Sequence, residues 1–146
     1  MKTIKKFLIL IFLLFASSVS GHTSDKIFDE AKKNFDKKDY EKSKFLFQRN
    51  IVFFPKNAES YLFLAKIYNN EENTEEEEKN LDTTLLLQPD NEEAIYMLIN
   101  IQLERSNFEE VNILMNRFTN VCKKMCKKTK EIKKSLQDFE ANEKTN

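Results

Sequence analysis

Apolar residues recur at intervals of three and four along most of the chain, and short polar stretches separate the runs. Ile27, Phe28, Ala31 and Phe35 form the first stripe, and Phe45, Leu46, Ile51 and Phe54 the second. Tyr61, Leu64, Ala65 and Tyr68 form the third, and Leu81, Leu85 and Leu86 the fourth. Ile95, Leu98, Ile99 and Leu103 make the fifth, followed by Val111, Leu114, Met115 and Phe118. This spacing gathers side chains on one face of an α-helix, so six amphipathic helices are expected. Met125, Ile132, Leu136 and Phe139 predict a seventh, with lysines on its opposite face.

Polar residues at the breaks supply helix starts. Ser24, Asp39, Asn57 and Asn107 are expected N-caps, whose side-chain oxygens accept from an early helix amide. Thr74 with Glu77 reads as a capping box, and Asp90 with Glu93 repeats that arrangement. The connections are short, so consecutive helices should pack antiparallel.

Two prolines add a longer period. Pro55 and Pro89 lie 34 residues apart, each closes an apolar run, and each leads into a helix start. A period of this length belongs to stacked two-helix repeats. The chain has 1 glycine and 2 prolines, too few for the turns a β-rich fold requires. The expected fold is all-α: an α-solenoid of three antiparallel helix pairs plus a C-terminal capping helix. The repeats run over about 24–57, 58–91 and 92–125, and the cap over about 126–140. A capping helix ends such an array by covering the last repeat and turning a polar side to water.

The N-terminus reads as a signal peptide over residues 1–20. Lys2, Lys5 and Lys6 precede an apolar run from Phe7 to Ala16, about ten residues and too short to span a bilayer. Ser18-Val19-Ser20 offers small residues for cleavage after Ser20, with Gly21 the next choice; the alternative is an uncleaved anchor. An exported chain, periplasmic or extracellular, follows from the cleaved reading, with residues 21–146 forming a single domain. Loss of those three lysines changes 24 basic and 24 acidic side chains to 21 against 24. That balance gives no basis for nucleic-acid binding.

Cys122 and Cys126 are the only cysteines. An oxidising compartment favours a disulfide between them. Within one regular helix the two side chains would be poorly aimed for bridging, whereas a turn between the sixth and seventh helices permits it. Two free thiols and redox or metal chemistry are the other readings of the pair. A run of lysines from Lys123 to Lys134 faces either solvent or an anionic surface, such as a membrane or an acidic partner. No catalytic constellation is visible: His22 is the only histidine, Gly21 is the only glycine and so no glycine-rich phosphate loop exists, and no serine has a plausible base partner. No catalytic residue, metal site, cofactor or small-molecule substrate is expected.

The register resembles the tetratricopeptide repeat. Tyr61, Leu64, Ala65, Tyr68, Leu81 and Pro89 match that family's pattern in the second unit, although Glu77 and Thr84 replace its alanines. The first unit carries Ala31, Asp39-Tyr40, Ser43, Phe47 and Pro55; the third carries Ile95, Leu98, Ile99, Asn107-Phe108, Val111 and Met115, with Lys123 at the proline place. The resemblance covers about Ser24 to Val121 and implies a protein-binding groove lined by the first helix of each repeat. It places Phe28, Lys32 and Phe35 there from the first unit, and Leu62, Lys66 and Asn69 from the second. Tyr96, Asn100 and Leu103 follow from the third. The other reading makes Phe28 and Phe35 ordinary core. The implied partner is an amphipathic helix or an extended peptide of another protein. Some family members clamp a chaperone's C-terminal carboxylate; the corresponding places here are Phe28, Lys32, Phe63, Glu93 and Met97, and Glu93 would repel it. The implied role is a non-enzymatic scaffold or adaptor in the cell envelope or secreted space. The alternative is a membrane-associated structural subunit of an envelope assembly or secretion complex, held by the lysine-rich C-terminal helix.

Overall fold

The computed structural model describes the backbone of residues 21–143 and the side chains of residues 26–138. The expected signal peptide lies outside the described residues. Seven helices occur among them, with no strand: α1 (Gly21–Asp36), α2 (Tyr40–Phe53), α3 (Ala58–Asn70), α4 (Thr74–Leu87), α5 (Glu92–Glu104), α6 (Phe108–Val121) and α7 (Lys128–Glu143). Ser24 lies within the first helix and does not cap its start. The chain divides into two compact units at Pro55, the first of the two repeat-ending prolines.

Helix boundaries obey the 34-residue period closely. Helices α1, α3 and α5 end at Asp36, Asn70 and Glu104. Their partners begin after Asp39, Asn73 and Asn107. That register corrects two of the expected caps. Asn73, not Thr74, caps α4 by accepting from the Glu76 amide at 3.2 Å. Asn91, not Asp90, caps α5 by accepting from the Ala94 amide at 3.0 Å. Asp39 and Asn57 cap as expected, through the amides of Lys42 and Ser60. Asn107 holds the cap position without a side-chain cap bond; its amide nitrogen donates to Gln102 Oε1 at 3.0 Å instead.

Each turn inside a helix pair contains one residue in the left-handed region: Lys38 (φ 62°), Glu72 (φ 56°) and Ser106 (φ 55°). Glycine ordinarily fills such a place because a Cβ clashes there. These turns hold without it because the amides of Asp39, Asn73 and Asn107 bond back to Asn34, Tyr68 and Gln102 carbonyls at 2.9–3.0 Å. This is the six-to-one closure of a helix C-terminus.

In the first unit, α1 packs on α2. Ala31 and Phe47 are fully buried, and the small alanine lets the Ser43 hydroxyl donate to the Ala31 carbonyl at 2.9 Å. Phe45 departs from its expected core place: it is 61% exposed, and Phe47 is buried instead. In the second unit, Ala65, Leu81, Ile95, Ile99, Val111 and Phe118 centre one continuous core. Leu86, expected in the α4 stripe, is 80% exposed because Leu81 and Leu85 already fill that face. Ile132 and Leu136 dock α7 onto the core. Met125 lies in the turn before α7 rather than on it, half-buried against the same core.

Candidate functional site

The expected groove residues of the first unit lie on α1. Phe28 is half-buried and meets the Phe47 ring edge-on, with centroids 5.6 Å apart. Phe35 is half-buried against Tyr40 at 5.5 Å. Both rings therefore take part in the packing of α1 on α2. Lys32 is exposed.

In the second unit the corresponding helices are α3 and α5, and the apolar character expected of their groove face is corrected. Leu62 is 2% exposed and Leu103 is 8% exposed, so both side chains belong to the core. Each stands beside a core position of its helix, and tight packing of neighbouring pairs covers it. The remaining expected residues form a polar face. Lys66 bridges α3 to α5 through Glu93 at 2.8 Å, and its ammonium lies 4.8 Å from the Phe63 ring centroid. Asn69 donates to both carboxylate oxygens of Glu77 at 3.1 and 3.2 Å.

A cleft of about 240 Å³ opens beside this pair, lined by Asn69, Glu72, Thr74, Glu77, Met97, Asn100, Ile101 and Glu104. Three carboxylates and two amides line it, with no basic side chain. Glu77 occupies the helix position that holds buried Ser43 and Val111 in the other pairs. Burial raises its pKa above the ordinary carboxylate value; the Asn69 bond opposes this, and Glu104 and Glu78 add to it. Among the described residues, no group of three or more carboxylate, cysteine or histidine side chains is placed to hold a metal ion.

Tyr96 is engaged by the C-terminal helix. Its hydroxyl donates to Glu131 Oε1 at 3.2 Å, and the Lys128 ammonium stands 5.1 Å from its ring centroid. Cys122 and Cys126 are joined by a disulfide, with Cα atoms 5.2 Å apart. The five-residue segment they close holds a feature the sequence reading missed. Lys123, Lys124 and Met125 all donate backbone amides to the Glu92 carboxylate, Lys123 at 2.7 Å and Met125 at 3.1 Å. Three successive amides converging on one anion form a nest. Desolvation pushes the Glu92 carboxyl up, but the three amides and the Lys124 charge outweigh it, and its pKa falls below the ordinary carboxylate value. The sequence signal was the lysine at the third proline place: proline has no amide hydrogen, and Lys123 does.

A larger cleft of about 660 Å³ borders α4, α5 and α6. It is crossed by Arg105, which pairs with Glu78 at 2.7 Å, and Arg117 donates to the Pro89 carbonyl at 2.7 Å on its rim. Gln102 also donates to the Glu78 carboxylate there, at 3.1 Å.

No family model and no curated protein matches the chain. Solved structures do. The Yersinia enterocolitica type III secretion chaperone SycD, in complex with a peptide of the translocator YopD, is similar with a TM-score of 0.74 and 10% identity. That likeness covers 87% of this chain and 99% of SycD. The Sgt2 TPR domain from Aspergillus fumigatus aligns at TM-score 0.69 and 15% identity over 88% of this chain and 86% of its own. A chain of the CopN-Scc3 complex aligns at 0.65 and 18% identity, over 83% and 71%. The fold of the chain is that of tetratricopeptide-like helix pairs.

Proposed function

We propose that the chain is a non-enzymatic adaptor whose α3/α5 face binds a peptide or helix of another protein. The observation that carries this reading is the carboxylate-lined cleft between α3, α4 and α5. A basic side chain of the ligand enters that cleft, while Lys66, Asn69, Tyr96 and Asn100 border its backbone. The likeness to SycD, solved with a peptide of YopD, supports a peptide as the ligand class. Export of the chain is part of the same reading, supported by the N-terminal pattern and by a disulfide, which persists in oxidising compartments.

The test is binding of a library of fluorescent basic, acidic and neutral helical peptides, at low and high salt. Basic peptides should bind, and charge reversal at Glu72 and Glu104 should weaken them at least tenfold. Absence of binding by every basic peptide, or binding indifferent to both reversals, refutes the cleft as the site. Alanine at Tyr96, followed by recovery of partners from the exported compartment, tests the wider α3/α5 face; unchanged partners would sink it.

A second reading has its own observation. Lys123, Lys124, Lys127, Lys130, Lys133 and Lys134 are all exposed along the C-terminal turn and α7. Such a surface suits peripheral contact with anionic lipid. No described helix is long and apolar enough to cross a membrane. Cell fractionation separates the readings: release from membranes by high salt favours the lysine face, and recovery in the soluble fraction favours the adaptor.

A further inference from the structure

We infer that the Cys122–Cys126 bridge is a redox latch that holds the C-terminal helix against Tyr96. The two preceding pairs end at Pro55 and Pro89, and in the same register the third ends at Lys123. A proline there can donate nothing, whereas Lys123 begins a run of three amides that grips Glu92. The bridge closes the very segment whose interior these amides occupy, so it limits the backbone freedom that would scatter them. Two residues beyond Cys126, α7 begins, and its first turn places Lys128 and Glu131 on Tyr96. Bridge, nest, helix start and Tyr96 form one unbroken series of contacts.

The rest of α7 is lightly held. Among its described residues only Ile132 and Leu136 are buried, so the anchoring at its start matters for the whole helix. Two-electron reduction by a dithiol breaks the sulfur–sulfur bond; each sulfur takes one electron and one proton, and the donor closes into its own disulfide. The opened segment no longer presents three aligned amides to Glu92, and the first turn of α7 loosens. Tyr96 is then uncovered beside the α3/α5 face. The consequence for partner binding rests on the peptide-binding reading, but the latch itself does not.

The two ideas separate in one experiment on the full chain. Hydrogen exchange is followed in the oxidised protein, in the protein reduced with dithiothreitol, and in oxidised Glu92→Gln. Reduction should lower protection of amides 128–138 at least tenfold while the cores of α3 and α5 stay protected; Glu92→Gln should produce part of that loss with the bridge intact. Equal protection of α7 in both redox states overturns the latch. So does a uniform loss across α3–α7, which would make the bridge a general staple. In parallel, the basic peptides are titrated against both forms. Tighter binding by the reduced form supports regulation of that face. Equal binding by both forms refutes regulation. If neither form binds, the peptide-binding reading fails, and the exchange data still decide the latch.

Discussion

Replacing Glu92 by alanine isolates the nest from the disulfide. The carboxylate accepts from Lys123, Lys124 and Met125 amides at distances between 2.7 and 3.1 Å. A hydrogen bond to a charged group contributes about 1.5–3 kcal/mol net. Here three donors share two oxygens in a partly exposed place, so their sum is well below three times that figure, and solvent screening lowers it further. A loss of roughly 2 kcal/mol is expected for Glu92→Ala, and about half of it for Glu92→Gln, which keeps one acceptor oxygen. For a domain of this size that corresponds to a melting point lower by roughly 6–10 °C for the alanine variant. The sign with pH follows from the lowered pKa of Glu92. Its stabilisation is present above the unfolded carboxylate value and disappears as pH falls through the lower folded value. Denaturant melts of wild type and Glu92→Ala should therefore converge in acid and separate near neutrality. Indistinguishable melts at neutral pH would refute the nest as an energetic feature. A constant gap down to the lowest accessible pH would show that packing, not charge, causes the difference.

Other substitutions test other parts of the structure. Glu77 has a raised pKa, mainly from burial, so its contribution has the opposite sign: it is fully present below the unfolded value of about 4.5 and is lost as pH rises through the folded value. Glu77→Gln should abolish that decline in denaturant midpoints while keeping an acceptor for Asn69; an unchanged pH profile would contradict the burial argument. Glycine at Lys38, Glu72 or Ser106 relieves a left-handed residue and should stabilise by ~0.5–1 kcal/mol after the greater freedom of the unfolded glycine is counted, and a lowered melting point at all three would count against it. Ala65→Trp should unfold the second unit through overpacking, since Ala65 is fully buried; circular dichroism of a folded variant would refute the register. Leu86→Lys, on a side chain 80% exposed, should change stability by less than ~0.5 kcal/mol.

The positions legible in the sequence were those fixed by local spacing. Six apolar stripes and the proline interval depend on residues near one another in the chain, and the helices fell where those patterns placed them. The errors in the apolar positions have a common cause: each turned on what a neighbouring helix covers. Leu62 and Leu103 read as groove residues because they stand beside the core stripe, and only the packing of α3, α4 and α5 buries them. Phe45 and Leu86 read as core because their hydrophobicity is that of core residues, yet both side chains are mostly exposed. Thr74 and Asp90 lost the cap to the asparagine next in register, a one-residue distinction that side-chain reach decides.

Glu92 illustrates what local reading cannot reach. In sequence it is one glutamate among the acidic residues of a helix start, favoured there by the helix dipole. Its partners are more than thirty residues away, and they are amides that any residue but proline supplies. The informative fact was the residue missing at position 123, not the residue present at 92. A repeat protein makes such an absence visible, because the earlier repeats state what should stand there. The same logic applies to Glu77, where Ser43 and Val111 show that the position is a buried one. A carboxylate costs stability in that place unless something answers its charge. Asn69 answers only its hydrogen-bonding demand, and that is the physical basis of the cationic ligand group proposed for the cleft beside it. The two departures from the repeat therefore lie at different sites: one anchors the end of the array, and the other lines the cleft on which the proposed peptide preference rests.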